Sequence, residues 1–241
     1  MKVQGCEQEH FVIQFNRQFD PRKMKLLIFD LDGTLIDSRW DLINAVNAML
    51  RHFERPELPP EVITAYVGDG ARMLVRRALG HTKDEHFLQE ALEFFLAFYS
   101  VHNLDYTRTF EGVGEMLDAV QASQNGTDRN LTVLSNKPVE AARAIVKGLG
   151  IDQLFHSVYG GNSFATQKPD PLGVRKVLEE TNTDPELALV IGDSPNDVLT
   201  GRNAGMWTCG VTYGFAPCSL REAAPDVIVD TPRELQSLFS S

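Results

Sequence analysis

KLLIFDLDGTL, residues 25–35, joins a short apolar run to a cluster of polar residues. An apolar run of this length, bounded by turn-forming residues, favours a buried strand. The carboxylates of Asp30 and Asp32 follow directly, and Gly33 permits a sharp turn. Because residues two apart in a strand face the same side, Asp30 and Asp32 can both face one site where the strand ends. A strand end followed by an ordinary Asx turn fits the same residues.

Downstream of residue 108, strand and helix signals alternate. The strand signals lie at Leu131–Leu134, Ser157–Tyr159, Ala188–Ile191, Trp207–Val211 and Val227–Val229. The helical patterns lie at 113–122, 138–149, 171–180, 196–203 and after 229, and a polar loop is expected at 124–130. This alternation predicts an α/β fold with a doubly wound, mostly parallel, Rossmann-like sheet. Ligands in such sheets bind beyond the carboxyl ends of the strands.

Residues 37–108 show helical periodicity and no strand signal, so they are predicted to form an all-helical insertion. Ser38 with Asp41 resembles a capping box, and further helical stretches are expected at 62–79 and 87–99. Five apolar residues fall on one face of the first helix: Trp40, Ile43, Val46, Met49 and Leu50. The α/β core then comprises residues 24–36 and 109–241.

Residues 1–23 are polar and poorly periodic, which predicts a frayed N-terminal extension. Phe11, Phe15 and Phe19 recur at helical spacing, so an arm for docking or dimerisation stays open.

Composition restricts the partners. The formal charge of -10 argues against a nucleic-acid partner, because phosphate backbones select basic surfaces. The chain contains no apolar run of about 18 residues, the length of a membrane span. The three cysteines, without paired spacing, fit a reducing cytoplasm. We therefore expect a cytoplasmic protein, a monomer or homodimer, without a nucleic-acid or membrane partner.

Three more polar clusters follow predicted strands or open helices. Ser135-Asn136-Lys137 offers a hydroxyl and backbone amides suited to a phosphate oxygen, although an ordinary loop fits too. Lys168 precedes a proline-initiated helix, where a solvated lysine is also common. Asp193 and Asp197 supply the hard oxygen ligands that Mg²⁺ prefers. Helix capping by Asp193 or Ser194 is the other interpretation.

Together the four clusters, in this order on a parallel-sheet pattern, resemble the haloacid dehalogenase-like hydrolase superfamily. The resemblance covers about residues 24–230. The family's four motifs correspond to 30–35, to Ser135, to Lys168, and to 192–194 with Asp197. The insertion at 37–108 is similar to the family's small helical cap.

The resemblance implies a Mg²⁺-dependent phosphomonoester hydrolase that works through an aspartyl-phosphate. It assigns Asp30 as the nucleophile and Asp32 as the general acid and base. Ser135, with Asn136 and Thr34, would contact the substrate, a small phosphorylated metabolite. Lys168 would also bind it, and would neutralise charge on Asp30 and on the phosphate. The metal ligands would be Asp30, the backbone carbonyl of Asp32, and Asp193, with Asp197 orienting metal-bound water; direct binding by Asp197 stays open.

The predicted insertion carries a loop similar to the cap substrate loop of phosphoglycolate phosphatases. Gly68 and Gly70 would let backbone amides approach a small acidic substrate, and Arg72 would pair with its carboxylate. A plain interhelical turn and an exposed arginine fit these residues too. Pyrophosphatases, sugar-phosphate phosphatases and phosphoglucomutases of the superfamily share much of the pattern.

Two other classes of protein use similar residues. A signalling receiver domain is about half this length, lacks the helical insertion and has adjacent acidic residues. A non-catalytic binding protein on this fold is expected to have lost a key residue, and this chain has all of them.

Overall fold

The structure, a computed structural model, describes residues 13–121 and 129–239. Residues 1–12 of the predicted extension, and all but the last two residues of the predicted loop 124–130, lie outside these ranges.

Within the described residues, seven strands form the main sheet, in the spatial order β1-β9-β8-β7-β2-β5-β6, and β3 pairs with β4 separately. The strands are β1 (Gln14–Phe15), β2 (Leu26–Phe29), β3 (Ile36–Asp37), β4 (Arg108–Thr109), β5 (Asn130–Leu134), β6 (Ser157–Tyr159), β7 (Ala188–Gly192), β8 (Trp207–Val211) and β9 (Val227–Val229). From β6 to β9 the main sheet is parallel, and only the β1–β9 pair is antiparallel. The predicted doubly wound sheet is confirmed.

The main sheet is buried on both faces, which is why its strands read as continuous apolar runs. On β2, Leu27 and Phe29 pack into one apolar cluster, whereas Leu26 and Ile28 pack into a second, as the two-residue period of a strand requires. The helices that follow the strands cover these faces. They are α5 (Val113–Gln121), α6 (Val139–Gly148), α7 (Leu172–Glu180), α8 (Pro195–Asn203), α9 (Pro217–Ala223) and α10 (Pro232–Phe239).

Four helices lie between β3 and β4: α1 (Arg39–His52), α2 (Pro60–Thr64), α3 (Gly70–Ala78) and α4 (Glu85–His102). The antiparallel pairing of β3 with β4 joins the two ends of this helical insertion. These two short strands have no strand signal in the sequence. The predicted helical stretch 62–79 is two helices, α2 and α3, separated by residues 65–69. Trp40, predicted on the buried face of α1, is instead 55% exposed.

The predicted capping box of Ser38 and Asp41 is wrong, because both side chains have partners elsewhere. The Ser38 hydroxyl donates a hydrogen bond to Asp32 Oδ1. The Asp41 carboxylate accepts from the backbone amides of Tyr106 and Thr107 and from the Thr107 hydroxyl, at 2.6–3.2 Å. The helix start therefore ties the insertion to the core.

The prediction of a frayed extension is wrong for the described residues 13–23. Strand β1 pairs with β9 and so extends the main sheet at its edge. Arg17 Nη1 lies 2.9 Å from Asp226 Oδ1, and its guanidinium lies over the ring of Trp207. Phe19 stacks on the same indole, with 4.7 Å between the ring centroids.

Replacing Phe19 by alanine should lower the free energy of unfolding by about 1–2 kcal/mol, through lost apolar burial and the lost aromatic pair. Trp207 begins β8, at the end of the sheet opposite the polar clusters, so the turnover rate of the folded protein should not change. Urea denaturation followed by Trp fluorescence measures the effect. Tyr106→Ala, at a 60% exposed ring, is the matched control. Equal stability of both variants would contradict the role of Phe19.

None of the helices in the described ranges is long and apolar enough to span a membrane.

Candidate active site

The central strand β2 lies between β5 and β7. After β2 the chain forms β5 and β6 on one side of it, and then β7, β8 and β9 on the other side. This switch point opens a crevice at the carboxyl ends of the strands. Asp30 follows β2 and its backbone amide donates to Ile191 O at 2.9 Å. Ser135 follows β5 and Asp193 follows β7. The fold therefore brings these three predicted site residues to one edge of the sheet.

Three carboxylates meet in this crevice, those of Asp30, Asp193 and Asp197. Each offers an oxygen within 4.8 Å of the others, and all three residues are buried. Lys168 joins them: its Nζ lies 2.6 Å from Asp197 Oδ1 and 2.9 Å from Asp30 Oδ1. The residues predicted from three separate motifs thus form one buried charged cluster.

Asp32 has different partners from Asp30, although only Leu31 separates the two residues. Lys137 Nζ lies 2.8 Å from Asp32 Oδ1 and 2.9 Å from Oδ2, and the Ser38 hydroxyl also donates to Oδ1. The Asp32 carboxylate is not part of the three-carboxylate cluster. The two aspartates of the first motif therefore have distinct charge environments, as a division of roles requires.

Close backbone contacts hold Asp193 in place. Gly33 has a φ of +83°, and a Cβ there would lie 2.2 Å from Asp193 Oδ2. A Cβ on Gly214 would lie 2.3 Å from Asp193 Cβ and from Gly33 O. The backbone amide of Phe215 donates to Asp193 Oδ2 at 2.6 Å. Only glycine fits where the loops after β2 and β8 meet this carboxylate.

Asp197 combines a local role with a role in the cluster. Its Oδ2 accepts hydrogen bonds from the amide and hydroxyl of Ser194, at 3.1 and 2.7 Å, at the start of α8. Its Oδ1 accepts a hydrogen bond from Lys168 Nζ. The helix-capping interpretation and the charge-cluster interpretation of this motif therefore both apply.

Asn136 connects the loop after β5 with two other segments. Its Nδ2 donates to Gly68 O at 2.9 Å and to Lys168 O at 3.0 Å, and its Oδ1 accepts from the Lys168 amide. Asn196 Nδ2 donates to Asp69 Oδ1 at 2.7 Å. The predicted loop around Gly68 thus lies against the core and closes over the crevice.

A cavity of about 90 Å³ lies between the core and the helical insertion. Its core side is formed by Asp30, Asp32, Ser135, Asn136, Lys137 and Asp193, among others. Gly68 and Gly70 line its other side, together with mostly apolar side chains of α1, α3 and α4. A cavity of this size holds several water molecules.

The pKa of Asp30 is raised to about 6, chiefly by burial; Lys168 opposes this shift, and the neighbouring Asp197 and Asp32 add to it. Burial also raises the pKa of Asp193 well above its usual range, and Asp30 and Asp197 add to this effect. Both shifts have the direction expected where negative charges are crowded away from water.

The two lysines stay charged despite their burial. Burial alone would lower the pKa of Lys168, but Asp197 and Asp30 more than offset it, and the net pKa lies above the usual value. Asp32 has the same effect on the buried Lys137. The site therefore holds two permanent ammonium groups.

The cluster fits a hard divalent cation by charge and by donor type. Three carboxylates and one ammonium leave a formal charge of two negatives in a buried space. Asp30 Oδ1 is buried and accepts no hydrogen bond of ordinary geometry, although it forms the ion pair with Lys168. Oxygen ligands of this kind are those that Mg²⁺ takes in proteins.

Three predicted substrate residues do not line the cavity: Arg72, Thr34 and Lys168, of which Lys168 is linked to it by its ion pair with Asp30. Arg72 lies on the outer side of α3, where its guanidinium donates to Glu85 Oε2 at 2.6 Å and Gln89 Oε1 at 3.1 Å. The predicted pairing of Arg72 with a substrate carboxylate is therefore not supported. Thr34 is fully buried and does not line the cavity.

Three further residues belong to the site although the sequence predicts no role for them: Lys137, Tyr99 and Gly214. Lys137 stands in a motif whose other members, Ser135 and Asn136, are predicted site residues. Gly214 follows β8 at the same edge of the sheet. Because ligands bind beyond the carboxyl ends of the strands, this position predicts a site residue. Tyr99 has no such signal, because it is one of several aromatic residues along α4.

Comparison with known proteins agrees with this geometry. The sequence model of the family described as haloacid dehalogenase-like hydrolase matches residues 27–211. The chain is 35% identical over 222 residues to phosphoglycolate phosphatase 1 of Pseudomonas aeruginosa, covering 90% of this chain and 80% of that protein. It is 39% identical over 199 residues to phosphoglycolate phosphatase of Psychrobacter arcticus, covering 79% and 84%.

A solved structure has the same fold along nearly its whole length. It is the crystal structure of a predicted phosphoglycolate phosphatase from Haemophilus somnus, with a TM-score of 0.83 and 29% sequence identity. The match covers 90% of this chain and 98% of that one. From the family match, these relatives and the shared fold, we conclude that the chain belongs to the haloacid dehalogenase-like hydrolases.

Proposed function

We propose that this protein is a Mg²⁺-dependent phosphomonoester hydrolase whose substrate is 2-phosphoglycolate. The observation that carries the proposal is the environment of Asp30, buried beside Lys168 and two further carboxylates at the edge of the crevice. The names of the relatives support the substrate.

In the proposed reaction an Asp30 oxygen attacks phosphorus and forms an aspartyl-phosphate, while the bond to the leaving oxygen breaks. Asp32 donates the proton that the leaving oxygen takes up. Asp32 then removes a proton from water, and the water oxygen attacks phosphorus. Inorganic phosphate leaves and the Asp30 carboxylate is restored. The separate pairing of Asp32 with Lys137 and Ser38 holds it at the cavity wall for both steps.

The other residues position and neutralise the phosphoryl group. Lys168, 2.9 Å from Asp30, offsets negative charge on the nucleophile and on the transferring group. The Ser135 hydroxyl lines the cavity and is proposed to donate to a phosphoryl oxygen. Asp30, Asp193 and Asp197 would hold Mg²⁺, with the carbonyl of Asp32 as a further predicted ligand. When bound, the ion supplies positive charge to the phosphoryl oxygens.

We further propose that residues 37–108 act as a cap, which excludes water while the aspartyl-phosphate forms. The hydrogen bonds from Asn136 and Asn196 to the Gly68 loop support a closed arrangement. The cytoplasmic location, and the state of monomer or homodimer, stay predictions from the sequence.

A substrate panel tests the function. Phosphate release should be measured with 2-phosphoglycolate, pyrophosphate, hexose and nucleotide monophosphates and p-nitrophenyl phosphate. We expect the highest kcat/KM with 2-phosphoglycolate, the substrate that the names of the relatives indicate. A higher value with pyrophosphate or a hexose phosphate would replace the proposed substrate and keep the phosphatase assignment.

Excess chelator should abolish this activity, and added Mg²⁺ should restore it, because the buried carboxylates lack a balancing charge without a cation. Ca²⁺ should inhibit, since its larger and looser coordination shell misplaces the phosphoryl group. Undiminished activity in chelator would remove the metal from the proposed mechanism.

A further inference from the structure

The cavity wall opposite the catalytic carboxylates is almost entirely apolar. Val67, Leu74, Phe95 and Leu96 line it from the helical insertion. Arg72, the arginine expected to meet a substrate carboxylate, faces away. Among the described residues that line the cavity, Lys137 is the one that carries a positive charge. Beyond the phosphate site, a second anionic group of a substrate can therefore contact one cationic side chain, that of Lys137.

Lys137 is held at the junction of the core and the insertion. Its side chain is 4% exposed, and its Nζ lies 2.8–2.9 Å from both oxygens of Asp32. The same Nζ lies over the ring of Tyr99, 4.7 Å from the ring centroid. The ammonium group therefore has a carboxylate on one side and the aromatic wall of α4 on the other.

Tyr99 adds an unused hydrogen-bond donor beside Lys137. The ring lines the cavity and is 3% exposed. Its hydroxyl oxygen interacts with Lys137, but the hydroxyl makes no hydrogen bond of ordinary geometry, and its hydrogen has no acceptor among the described residues. Burial raises the pKa of Tyr99 to about 12, so the hydroxyl keeps its proton at neutral pH. A buried hydroxyl without a partner is unfavourable, and a bound oxygen ligand would satisfy it.

The chemistry of a two-carbon phosphate connects these donors with the reaction. In the proposed mechanism Asp32 donates a proton to the leaving oxygen. In 2-phosphoglycolate a single methylene joins that oxygen to the carboxylate. The groups that touch Asp32 from the cavity side are therefore within reach of the carboxylate when phosphorus lies at Asp30.

We propose that Lys137 and Tyr99 bind the carboxylate of the substrate and so determine its specificity. This inference rests on the proposed function, because it names the groups that select an acidic two-carbon phosphate. The competing role for Lys137 is to position Asp32 alone, which would affect every phosphomonoester alike.

The test compares 2-phosphoglycolate with 2-hydroxyethyl phosphate, which has a neutral hydroxymethyl group in place of the carboxylate. The readout is the ratio of the two kcat/KM values. Lys137→Met keeps the length of the side chain and removes its charge. We expect it to lower the ratio about 10- to 100-fold, the scale of one charge-assisted hydrogen bond. An unchanged ratio, with both substrates slowed equally, would overturn the proposal and leave Lys137 as a positioning residue for Asp32.

Tyr99→Phe removes only the hydroxyl and leaves the ring over Lys137. We expect the ratio to fall about 3- to 10-fold, the scale of one neutral hydrogen bond. Positioning of Asp32 does not require this hydroxyl, so the variant separates the two roles even if Lys137→Met folds poorly. An unchanged ratio in Tyr99→Phe would remove Tyr99 from the carboxylate site.

Lys147→Met, at an exposed lysine on α6, is the matched control and should leave the ratio unchanged. Thermal denaturation of each variant checks the fold. Wild-type protein that does not hydrolyse 2-phosphoglycolate would contradict the proposed function itself. Active wild-type protein whose ratio is unaffected by both substitutions would contradict only the carboxylate site.

Discussion

Asp30→Asn should abolish phosphatase turnover, with a loss of at least about a thousandfold. The asparagine amide has the shape of the carboxylate and is a very poor nucleophile, so no aspartyl-phosphate forms. The hydrogen bond from the residue 30 amide to Ile191 O belongs to the backbone and is unaffected by the change. Phosphate release from 2-phosphoglycolate and from p-nitrophenyl phosphate measures the loss.

The same substitution should not destabilise the metal-free protein. The pKa of Asp30 is raised to about 6 in the folded chain, first by burial. A carboxyl with a raised pKa contributes less to stability as the pH rises through that pKa, because the folded state disfavours the ionised form. Above pH 6 the neutral amide removes this cost. We therefore expect the Tm of Asp30→Asn, without metal, to equal or exceed that of wild type.

Asp118→Asn, at an exposed position on α5, is the matched control and should be fully active. In acid-quenched wild-type protein under turnover, mass spectrometry should find phosphate on the peptide that contains Asp30. Retention of more than a few percent of the wild-type rate by pure Asp30→Asn would exclude Asp30 as the nucleophile.

Lys168→Met should also reduce kcat/KM by about a thousandfold or more. The ammonium group lies 2.6 Å from Asp197 and 2.9 Å from Asp30, and the thioether that replaces it carries no charge. Without the lysine the pKa of Asp30 should rise further, so the nucleophile is protonated at neutral pH. Loss of one partner from a buried ion pair should also cost about 3–5 kcal/mol of stability.

Binding of Mg²⁺ separates this loss from simple unfolding. The lost ammonium charge and the protonation of Asp30 offset each other, so the cluster keeps its formal charge and Lys168→Met should still bind Mg²⁺ in calorimetry. Lys176→Met, at an exposed lysine on α7, is the control for the substitution. A variant that binds Mg²⁺, is folded and loses less than tenfold in kcat/KM would show that Lys168 is not needed for neutralisation.

The core strands were predictable because their signals are local. β2 is buried on both faces, so its burial is visible as an unbroken apolar run, and the polar residues that follow it mark the site. The same holds for β5 and β7, whose polar ends supply Ser135 and Asp193. Parallel pairing then brings these ends together without any further information.

The orientation of side chains on the helical insertion was not predictable in this way. Arg72 faces away from the cavity because Glu85, 13 residues further along the chain, draws its guanidinium outward. Asp41 matches a local capping pattern, yet its partner Tyr106 lies 65 residues away. Contacts with residues distant in the sequence determine the orientation of both side chains, and a short sequence pattern contains no information about such contacts.

The N-terminal strand illustrates a similar limit. Gln14 pairs with Ile228, from the opposite end of the chain. Phe15 and Phe19 show a helical spacing that does not correspond to a helix, since one lies in β1 and the other stacks on Trp207. An edge strand of two residues has too few side chains to show a period.

If residues 37–108 act as the proposed cap, Asn136 would link its closure to catalysis. The Asn136 amide donates to Gly68 O and to Lys168 O, and its oxygen accepts from the Lys168 amide. Opening of the proposed cap would remove one of these three hydrogen bonds and so weaken the hold of Asn136 on the segment that carries Lys168. Because such coupling is reciprocal, a ligand that stabilises the closed cap would also stabilise the ordered position of Lys168, by the same coupling free energy. Substrate binding would thus prepare the nucleophile as well as enclose it.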